Sequence, residues 1–308
     1  MDLAVMIEGQ DGLTWERWKR IARTVEDLGF AGLYRSDHYT NARPPEKDSL
    51  ELWTSLTWLA DNTDAIEFGP LVTPPSYRHP SMVARYAAAI DDLSGGRLHL
   101  GLGGGWQERE HTMFGLDLLE MGPRFRRFEE SVQVIKALLQ SDEPVDFSGE
   151  FYTLEQAILL PRPERDGGPP ILIGGNGENK TLRYVARYAD MWNGLYMKAE
   201  RYGELNAILD DYLNEEGRRP ADVHRSIMTG LTYHPDNAVL EQRIEKRGGI
   251  ERLREAGVLV GGQEEVLEGL HDLADEGCQR VMVQWLHLDD MDGLTAFAEF
   301  ALQDFPTE

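Results

Sequence analysis

Short apolar runs alternate along this chain with longer segments whose apolar residues recur every three or four positions. The run LAVMIE is followed by a segment in which Trp18, Ile21 and Val25 fall on one helical face, and then by a second run, FAGLYR. Thr14 is placed to cap the helix and Gly29 to close it in a left-handed conformation. This order predicts two parallel strands, because the helix must cross over between them.

The same alternation continues to the last helical segment. We count eight predicted strands and roughly eight helices, and no region in which strands cluster without helices. The pattern predicts an α/β fold, a (β/α)8 TIM barrel, rather than an open doubly wound sheet. The excess length falls after predicted strands 4 and 7. Because no linker or low-complexity tract interrupts residues 1–308, we expect a single domain.

Charge and cysteine content narrow the function classes. The chain has 31 Lys and Arg residues against 54 Asp and Glu, a formal net charge of -23. Such a chain repels phosphate backbones and anionic membrane surfaces, so neither nucleic acid nor a membrane is an expected partner. The single cysteine, Cys278, cannot build a disulfide framework or a cysteine-based metal site, and it fits a cytoplasmic location. The first apolar run is too short for a signal peptide or a spanning helix.

Candidate catalytic residues stand at the ends of the first two predicted strands. In a TIM barrel the chemistry lies where the C-terminal strand ends meet, at the mouth of the barrel. Glu8 follows strand 1, and Ser36, Asp37 and His38 follow strand 2. An imidazole can take or give a proton near neutral pH, and a neighbouring carboxylate can orient or charge it. A capping Asp beside a surface His explains the pair alone equally well. No HxH or HxxxH spacing supports a metal site.

Two glycine clusters at strand ends point to a cofactor. Gly103, Gly104 and Gly105 follow strand 4, where missing side chains let a ring approach the backbone, although a tight turn would need the same residues. The stretch GGNGENK follows strand 5 and leads into a helix, whose free amide groups can bind a phosphate. Its spacing is not that of a nucleoside triphosphatase.

The chain resembles the bacterial luciferase-like superfamily of flavin and deazaflavin oxidoreductases in three stretches: GLYRSDH, FGPLVTPPSYRHPSMVARYAAAIDDLSGGRLHLGLGGGWQEREHTMFG and PPILIGGNGENKTLRYVARYADMWN. The resemblance covers nearly the whole chain. The SDH pattern is similar to the branch that uses coenzyme F420, a deazaflavin. The resemblance therefore implies a coenzyme F420-dependent oxidoreductase, an enzyme that transfers a hydride to or from a small organic substrate.

The resemblance also implies roles at matching positions. Asp37 and His38 would flank the deazaflavin ring, with His38 and Glu8 as candidates for the proton step. The peptide between Leu71 and Val72 would be the family's non-prolyl cis bond behind the ring. The remaining cofactor contacts would come from Gly103, Gly104, Gly105, Gln107 (where the family commonly has Asn), Gly174, Gly175, Asn176 and Gly177.

Several alternatives stay open at this point. Trp106 stands where the family's sugar-phosphate dehydrogenases carry an acid, which disfavours that activity. An FMN-dependent monooxygenase of the same superfamily, using reduced flavin and oxygen, is the main alternative, and a barrel that binds flavin without turnover is the least favoured. His111 is expected to pack or hydrogen bond rather than act as a catalyst. A homodimer is expected by analogy with the superfamily.

Overall fold

Eight parallel strands close into a barrel in the computed structural model, which describes residues 1–307. We number them β1 to β8: Asp2–Ile7, Gly32–Arg35, Glu67–Pro70, Leu100–Leu102, Ile171–Gly174, Met191–Leu195, His224–Thr232 and Arg280–Gln284. Consecutive strands are neighbours around the barrel, and β8 pairs with β1 so that both ends of the chain join one sheet. The predicted fold class is confirmed.

Helices surround the barrel, most of them where the sequence pattern predicts, but the long helix Met121–Gln140 was not predicted. Those within residues 1–307 are α1 to α11: Trp15–Leu28, Leu52–Asn62, Pro80–Leu93, Glu108–Phe114, Met121–Gln140, Thr181–Tyr188, Ala199–Glu215, Asn237–Lys246, Ile250–Glu255, Gln263–Asp275 and Met291–Asp304. The Thr14 hydroxyl accepts a hydrogen bond from the Arg17 amide, and Gly29 ends α1 with φ of 86°. Both predicted caps of α1 are therefore confirmed. None of the described helices is both long and apolar enough to cross a membrane.

The two regions of excess length lie after β4 and β7, as predicted. The first contains α4, α5 and an antiparallel hairpin of Val145–Ser148 and Thr153–Ala157. The second contains α8, α9 and the two-residue strand Leu259–Val260, which pairs with the end of β7. The hairpin was not predicted, because its residues are exposed or only half-buried and show no apolar pattern.

The barrel closes between β3 and β4 by isolated bridges rather than by a continuous ladder. Phe68 pairs with Leu98 on one side of an irregular segment, and Thr73 pairs with Leu102 on the other. A Cβ atom at Gly101 would collide with the carbonyl oxygen of Pro70. Glycine is therefore needed here because the two backbones approach too closely for a side chain. The irregular segment between the bridges projects towards the barrel mouth.

Candidate active site

A cavity of about 360 Å³ opens at the C-terminal ends of the strands, and we call it the mouth cavity. Part of its lining belongs to a small apolar cluster inside the barrel, with Met6, Leu71 and Met228 among its members. Both acids and the histidine predicted at the strand ends line it. The full lining is Met6, Glu8, Gln10, Ser36, Asp37, His38, Leu71, Val72, Pro74, Tyr77, Gly105, Trp106, Gly174, Asn193, Leu195, Tyr196, Met228 and Gln284.

His38 is held by a carboxylate that the sequence analysis did not identify. Its Nδ1 lies 2.7 Å from Oε1 of Glu110, a fully buried residue of α4. The Tyr39 amide donates to the other Glu110 oxygen at 2.9 Å, and the Tyr77 hydroxyl donates to Oε1. Three donors from two loops therefore converge on Glu110. Nε2 of His38 has no hydrogen-bond partner among residues 1–307, so it is available to the mouth cavity.

The pair is arranged as an imidazolium facing a carboxylate. Burial lowers the pKa of His38, but the hydrogen bond and the negative charge of Glu110 outweigh burial and raise it above its ordinary value. Burial likewise raises the pKa of Glu110, and the hydrogen bond and charge of His38 outweigh it, so the pKa of Glu110 is lowered. Glu110 therefore favours the protonated form of His38.

Asp37 has different partners from those expected. Its carboxylate accepts hydrogen bonds from the Thr73 hydroxyl at 2.7 Å and from the Arg78 guanidinium at 2.6 Å. Within residues 1–307, neither a hydrogen bond nor an ion pair joins Asp37 to the His38 ring. The prediction that Asp37 orients His38 is therefore wrong. Adjacent side chains of an extended segment point to different sides, so Asp37 faces away from the His38 ring. Glu110, 72 residues away, takes that place.

Glu8 follows β1, the neighbour of β2, and lies in a chain of amide contacts. Gln284 donates to Oε1 of Glu8 at 2.6 Å, and Gln10 donates to Oε2 at 2.8 Å. The other end of Gln284 accepts from the Tyr196 hydroxyl. Because amide N–H groups only donate, both oxygens of Glu8 act as acceptors. This arrangement fixes the carboxylate in the mouth cavity.

The peptide between Leu71 and Val72 is cis, as the resemblance implied, and both residues line the mouth cavity. The Val72 side chain packs against glycines at the ends of β4 and β5. A Cβ at Gly103 would collide with Cγ2 of Val72, and one at Gly174 would lie 3.2 Å from Cγ1. Gly103 therefore makes room for Val72, whereas the sequence analysis had it lining the cofactor cleft.

The other residues of the first glycine cluster differ from one another. Gly105 has φ of 77° and lines the mouth cavity, while a Cβ at Gly104 would meet no atom within 4 Å. Gln107 is buried outside that lining, and its amide nitrogen donates to the carbonyl oxygen of Thr40 at 2.8 Å. The structure therefore gives Gln107 a role in holding the Thr40 loop. His111 hydrogen bonds to Gln107 and Ser76, in agreement with its predicted packing role.

The second glycine cluster forms the turn between β5 and α6. The Asn176 side chain donates to the carbonyl oxygen of Leu195 at 2.7 Å and accepts from its amide at 2.8 Å, which ties this turn to the end of β6. The Asn176 side chain, which was predicted to contact a cofactor, is thus already hydrogen bonded to the Leu195 backbone. The amide groups of Gly177 and Glu178 form no hydrogen bond with protein atoms of residues 1–307. Free amides at a helix N-terminus fit a phosphate, as predicted for this turn.

Glu110, Tyr77 and Trp106 are the lining or supporting residues whose roles sequence reasoning missed. Glu110 and Trp106 both belong to the segment after β4. Trp106 packs edge-to-face on His38 with ring centroids 5.6 Å apart. A buried acid in the short amphipathic helix EREHTMF was the available signal. Its partner could not be inferred, because the contact joins α4 to the loop after β2, 72 residues away in the chain.

The family model described as luciferase-like monooxygenase matches residues 4–256. An F420-dependent glucose-6-phosphate dehydrogenase of Microbacterium testaceum is 33% identical over 69% of this chain and 63% of the relative. One of Nakamurella multipartita is 30% identical over 88% of this chain and 79% of the relative. Over the first three relatives the match spans only 63% to 64% of the relative's own length, less than two thirds. The fold resembles that of an F420-dependent secondary alcohol dehydrogenase, with TM-score 0.86, 17% identity and 97% of both chains covered.

Proposed function

Because this chain belongs to the luciferase-like monooxygenase family, we propose that it is an enzyme, an oxidoreductase that uses coenzyme F420 and a small organic substrate. The observation that carries the proposal is the His38–Glu110 pair, which presents a free Nε2 to the mouth cavity that Leu71 and Val72 also line. The F420-dependent relatives at 30% to 33% identity support the choice of cofactor. Their substrate, glucose 6-phosphate, is not part of the proposal.

The residues present fit a deazaflavin with a phosphorylated side chain. Leu71 and Val72 would support the ring, Gly105 would leave room for it, and the free amides of Gly177 and Glu178 would hold a phosphate. When bound, the deazaflavin accepts or donates a hydride at a ring carbon. Gly103 contributes by allowing Val72 its position, and Asn176 by holding the phosphate turn. Gln107 has no part in this arrangement.

The proton step is assigned to His38. Its Nδ1 is occupied by Glu110, so proton exchange with a substrate takes place at Nε2. In the oxidative direction His38 must be neutral to accept the proton, and in the reductive direction it must be charged to donate it. Since Glu110 raises the pKa of His38, the pair favours the charged, proton-donating form. Glu8 and Asp37 complete the polar lining, Glu8 as a fixed acceptor and Asp37 as the partner of Arg78.

The test of the proposal is a fluorescence titration of the purified protein with coenzyme F420 and, separately, with FMN. We expect tight binding of F420 and weak binding of FMN. A preference for FMN, together with oxygen consumption when reduced FMN is supplied, would replace the proposal by the monooxygenase alternative. Binding of F420 without turnover of any alcohol, ketone or alkene would favour a non-catalytic barrel.

We further propose that the protein is a homodimer that pairs through the outer faces of α2 and α3. A groove of about 760 Å³ lies between these helices, and large apolar side chains remain exposed along it. They include Trp15, Tyr86 and Leu93. A two-fold axis would bring the same apolar face of two copies together. Light scattering should give the mass of a dimer, and Leu93→Glu should give a monomer that still binds F420; a monomeric wild type refutes the proposal.

The single-domain organisation and the cytoplasmic location also stay proposals. The pairing of β8 with β1 supports a single folding unit, because removing either end of the chain would open the barrel. The single buried cysteine and the acidic surface support the cytoplasm.

A further inference from the structure

The charges of the residues that line the mouth cavity bear on which substrates it accepts. Among the described residues that line it, Glu8 and Asp37 are acidic and none is a lysine or arginine. The charge of the His38 imidazolium is already balanced by Glu110, and that of Asp37 by Arg78, so an anionic group of a substrate would meet the unbalanced carboxylate of Glu8. Such a group is costly to desolvate unless a cation pairs with it.

The basic residues next to the lining are already used by the protein. Arg78 pairs with Asp37 and with Glu51. Arg109 pairs with Glu46 and also donates to the carbonyl oxygen of Asn41. None of these guanidinium groups is left over for a substrate phosphate or carboxylate.

Two further guanidinium groups reach the lining from outside and bind uncharged acceptors. Arg124 donates to the carbonyl oxygens of Leu119 and Gly105, at 2.7 and 3.2 Å. Arg247 donates to the Thr232 hydroxyl at 2.6 Å. Neither side chain is part of the lining, and both are already hydrogen bonded to acceptors of the protein itself.

The entrance to the cavity is aromatic. Trp106 is 63% exposed although it lines the cavity and contacts the His38 ring. Phe114, also exposed, packs edge-to-face on Tyr39, which stacks on Tyr77 with ring centroids 4.5 Å apart. The exposed indole of Trp106 would be shielded from water by an apolar molecule bound at the entrance, so it offers a contact surface for an apolar substrate.

We infer that the substrate of this site is an uncharged, mainly apolar molecule with one oxygen function that His38 can reach, and that phosphorylated and carboxylated compounds are excluded. The inference rests on the proposed function, because it assigns the substrate class of the same site. Trp106 covers the apolar body of the substrate. Anions are rejected because the described lining has no lysine or arginine and the charge of His38 is already balanced by Glu110. Rejection here comes from an unpaired charge rather than from size.

Calorimetry of the F420-loaded protein tests the inference with matched pairs of ligands. Each pair consists of a neutral cyclic alcohol, from cyclohexanol to a bicyclic alcohol, and the same ring carrying a carboxylate. Glucose and glucose 6-phosphate form a further pair. We expect each neutral ring to bind at least ten times more tightly than its anionic counterpart. Equal binding, tighter binding of the anions, or binding of no pair overturns the inference.

Two substitutions of Trp106 sharpen the test. Trp106→Ala should weaken binding of the neutral alcohols by about tenfold, equivalent to ~1.4 kcal/mol, because the apolar cover is lost. Trp106→Lys should instead strengthen binding of the anionic members. Ile158, an exposed apolar residue outside the lining, provides the matched control Ile158→Ala, which should change neither value. An unchanged preference in Trp106→Lys contradicts the electrostatic argument.

Failure of the inference can be told apart from failure of the proposed function. The fluorescence titration with F420 reports on the cofactor alone, and it is run on the wild type and on each variant so that substrate binding is compared only between proteins loaded with F420. If F420 binds and the anionic ligands win, only the substrate class is wrong. If F420 does not bind, the proposed function fails, and the calorimetry of the cofactor-free protein still measures the charge preference.

Discussion

Replacing Glu110 by Gln tests whether this carboxylate controls the proton affinity of His38. Glutamine has nearly the same shape and can still accept the hydrogen bond from the Tyr39 amide, but it carries no charge. Burial, which lowers the pKa of His38, would remain, while the hydrogen bond to a carboxylate and the charge that raise it would be gone. The pKa of His38 should therefore fall.

The expected size of the effect follows from the contacts of Glu110. A hydrogen bond to a charged group contributes about 1.5 to 3 kcal/mol. If the bond to His38 acts fully in the transition state, its loss lowers kcat by roughly 10- to 150-fold, since ~1.36 kcal/mol is a factor of ten. The free energy of unfolding should fall by about 1 to 3 kcal/mol, because a buried acceptor loses its charge while keeping its donors.

The assay is an NMR titration of the histidine ring signals, with His38→Gln used to identify the signal of His38. It requires neither cofactor nor substrate. Once a substrate is known, the rate of oxidation should rise with pH as His38 becomes neutral, and in Glu110→Gln this rise should move to lower pH. Binding of F420 should be unaffected, because Glu110 does not line the mouth cavity.

Glu67→Gln is the matched control. Glu67 also pairs with a histidine, His99, at 3.5 Å, but it lies at the N-terminal end of β3, away from the mouth. This substitution should leave the titration of His38 unchanged. If Glu110→Gln folds and His38 titrates as in the wild type, Glu110 does not control the proton affinity of His38, and the role assigned to the pair is refuted.

Three further predictions concern stability and reactivity. Gly103→Ala should lower the free energy of unfolding by about 1 to 3 kcal/mol in urea and weaken F420 binding, because the added methyl group displaces Val72; an unchanged midpoint would contradict the close contact. Cys278 should resist thiol reagents until the protein unfolds, since burial raises its pKa to about 12, and fast labelling of the native protein would contradict this. The pKa of Glu67 is lowered from 4.5 to about 2. Burial raises this pKa, but the hydrogen bond and the charge of His99, together with those of Arg280, outweigh burial. Its stabilising effect is therefore present above pH 4.5 and lost as the pH falls towards 2, so the stability difference between wild type and Glu67→Gln should narrow over that range.

Local pattern was sufficient for the fold and for the position of the site. Each barrel strand and most of the barrel helices show in a window of ten to twenty residues, because burial on one helical face or in a central strand constrains the sequence directly. The helix Met121–Gln140 is the exception. The caps of α1 at Thr14 and Gly29 depend on backbone geometry within one turn. Since parallel strands alternate with helices, the strand ends must converge, and Glu8 and His38 were expected at one mouth for that reason.

The partners of those residues were decided by tertiary structure. Asp37 and Glu110 are both near His38, but only the packing of α4 against the loop after β2 determines which carboxylate meets the imidazole. The same packing places Gln107 on the Thr40 carbonyl rather than in the cavity. Side-chain pairing across 72 residues leaves no periodic trace in a single sequence. The sequence therefore determined where the chemistry lies, and the tertiary structure determined which acid controls it, because that hydrogen bond depends on how α4 packs against the loop after β2, which no local pattern encodes.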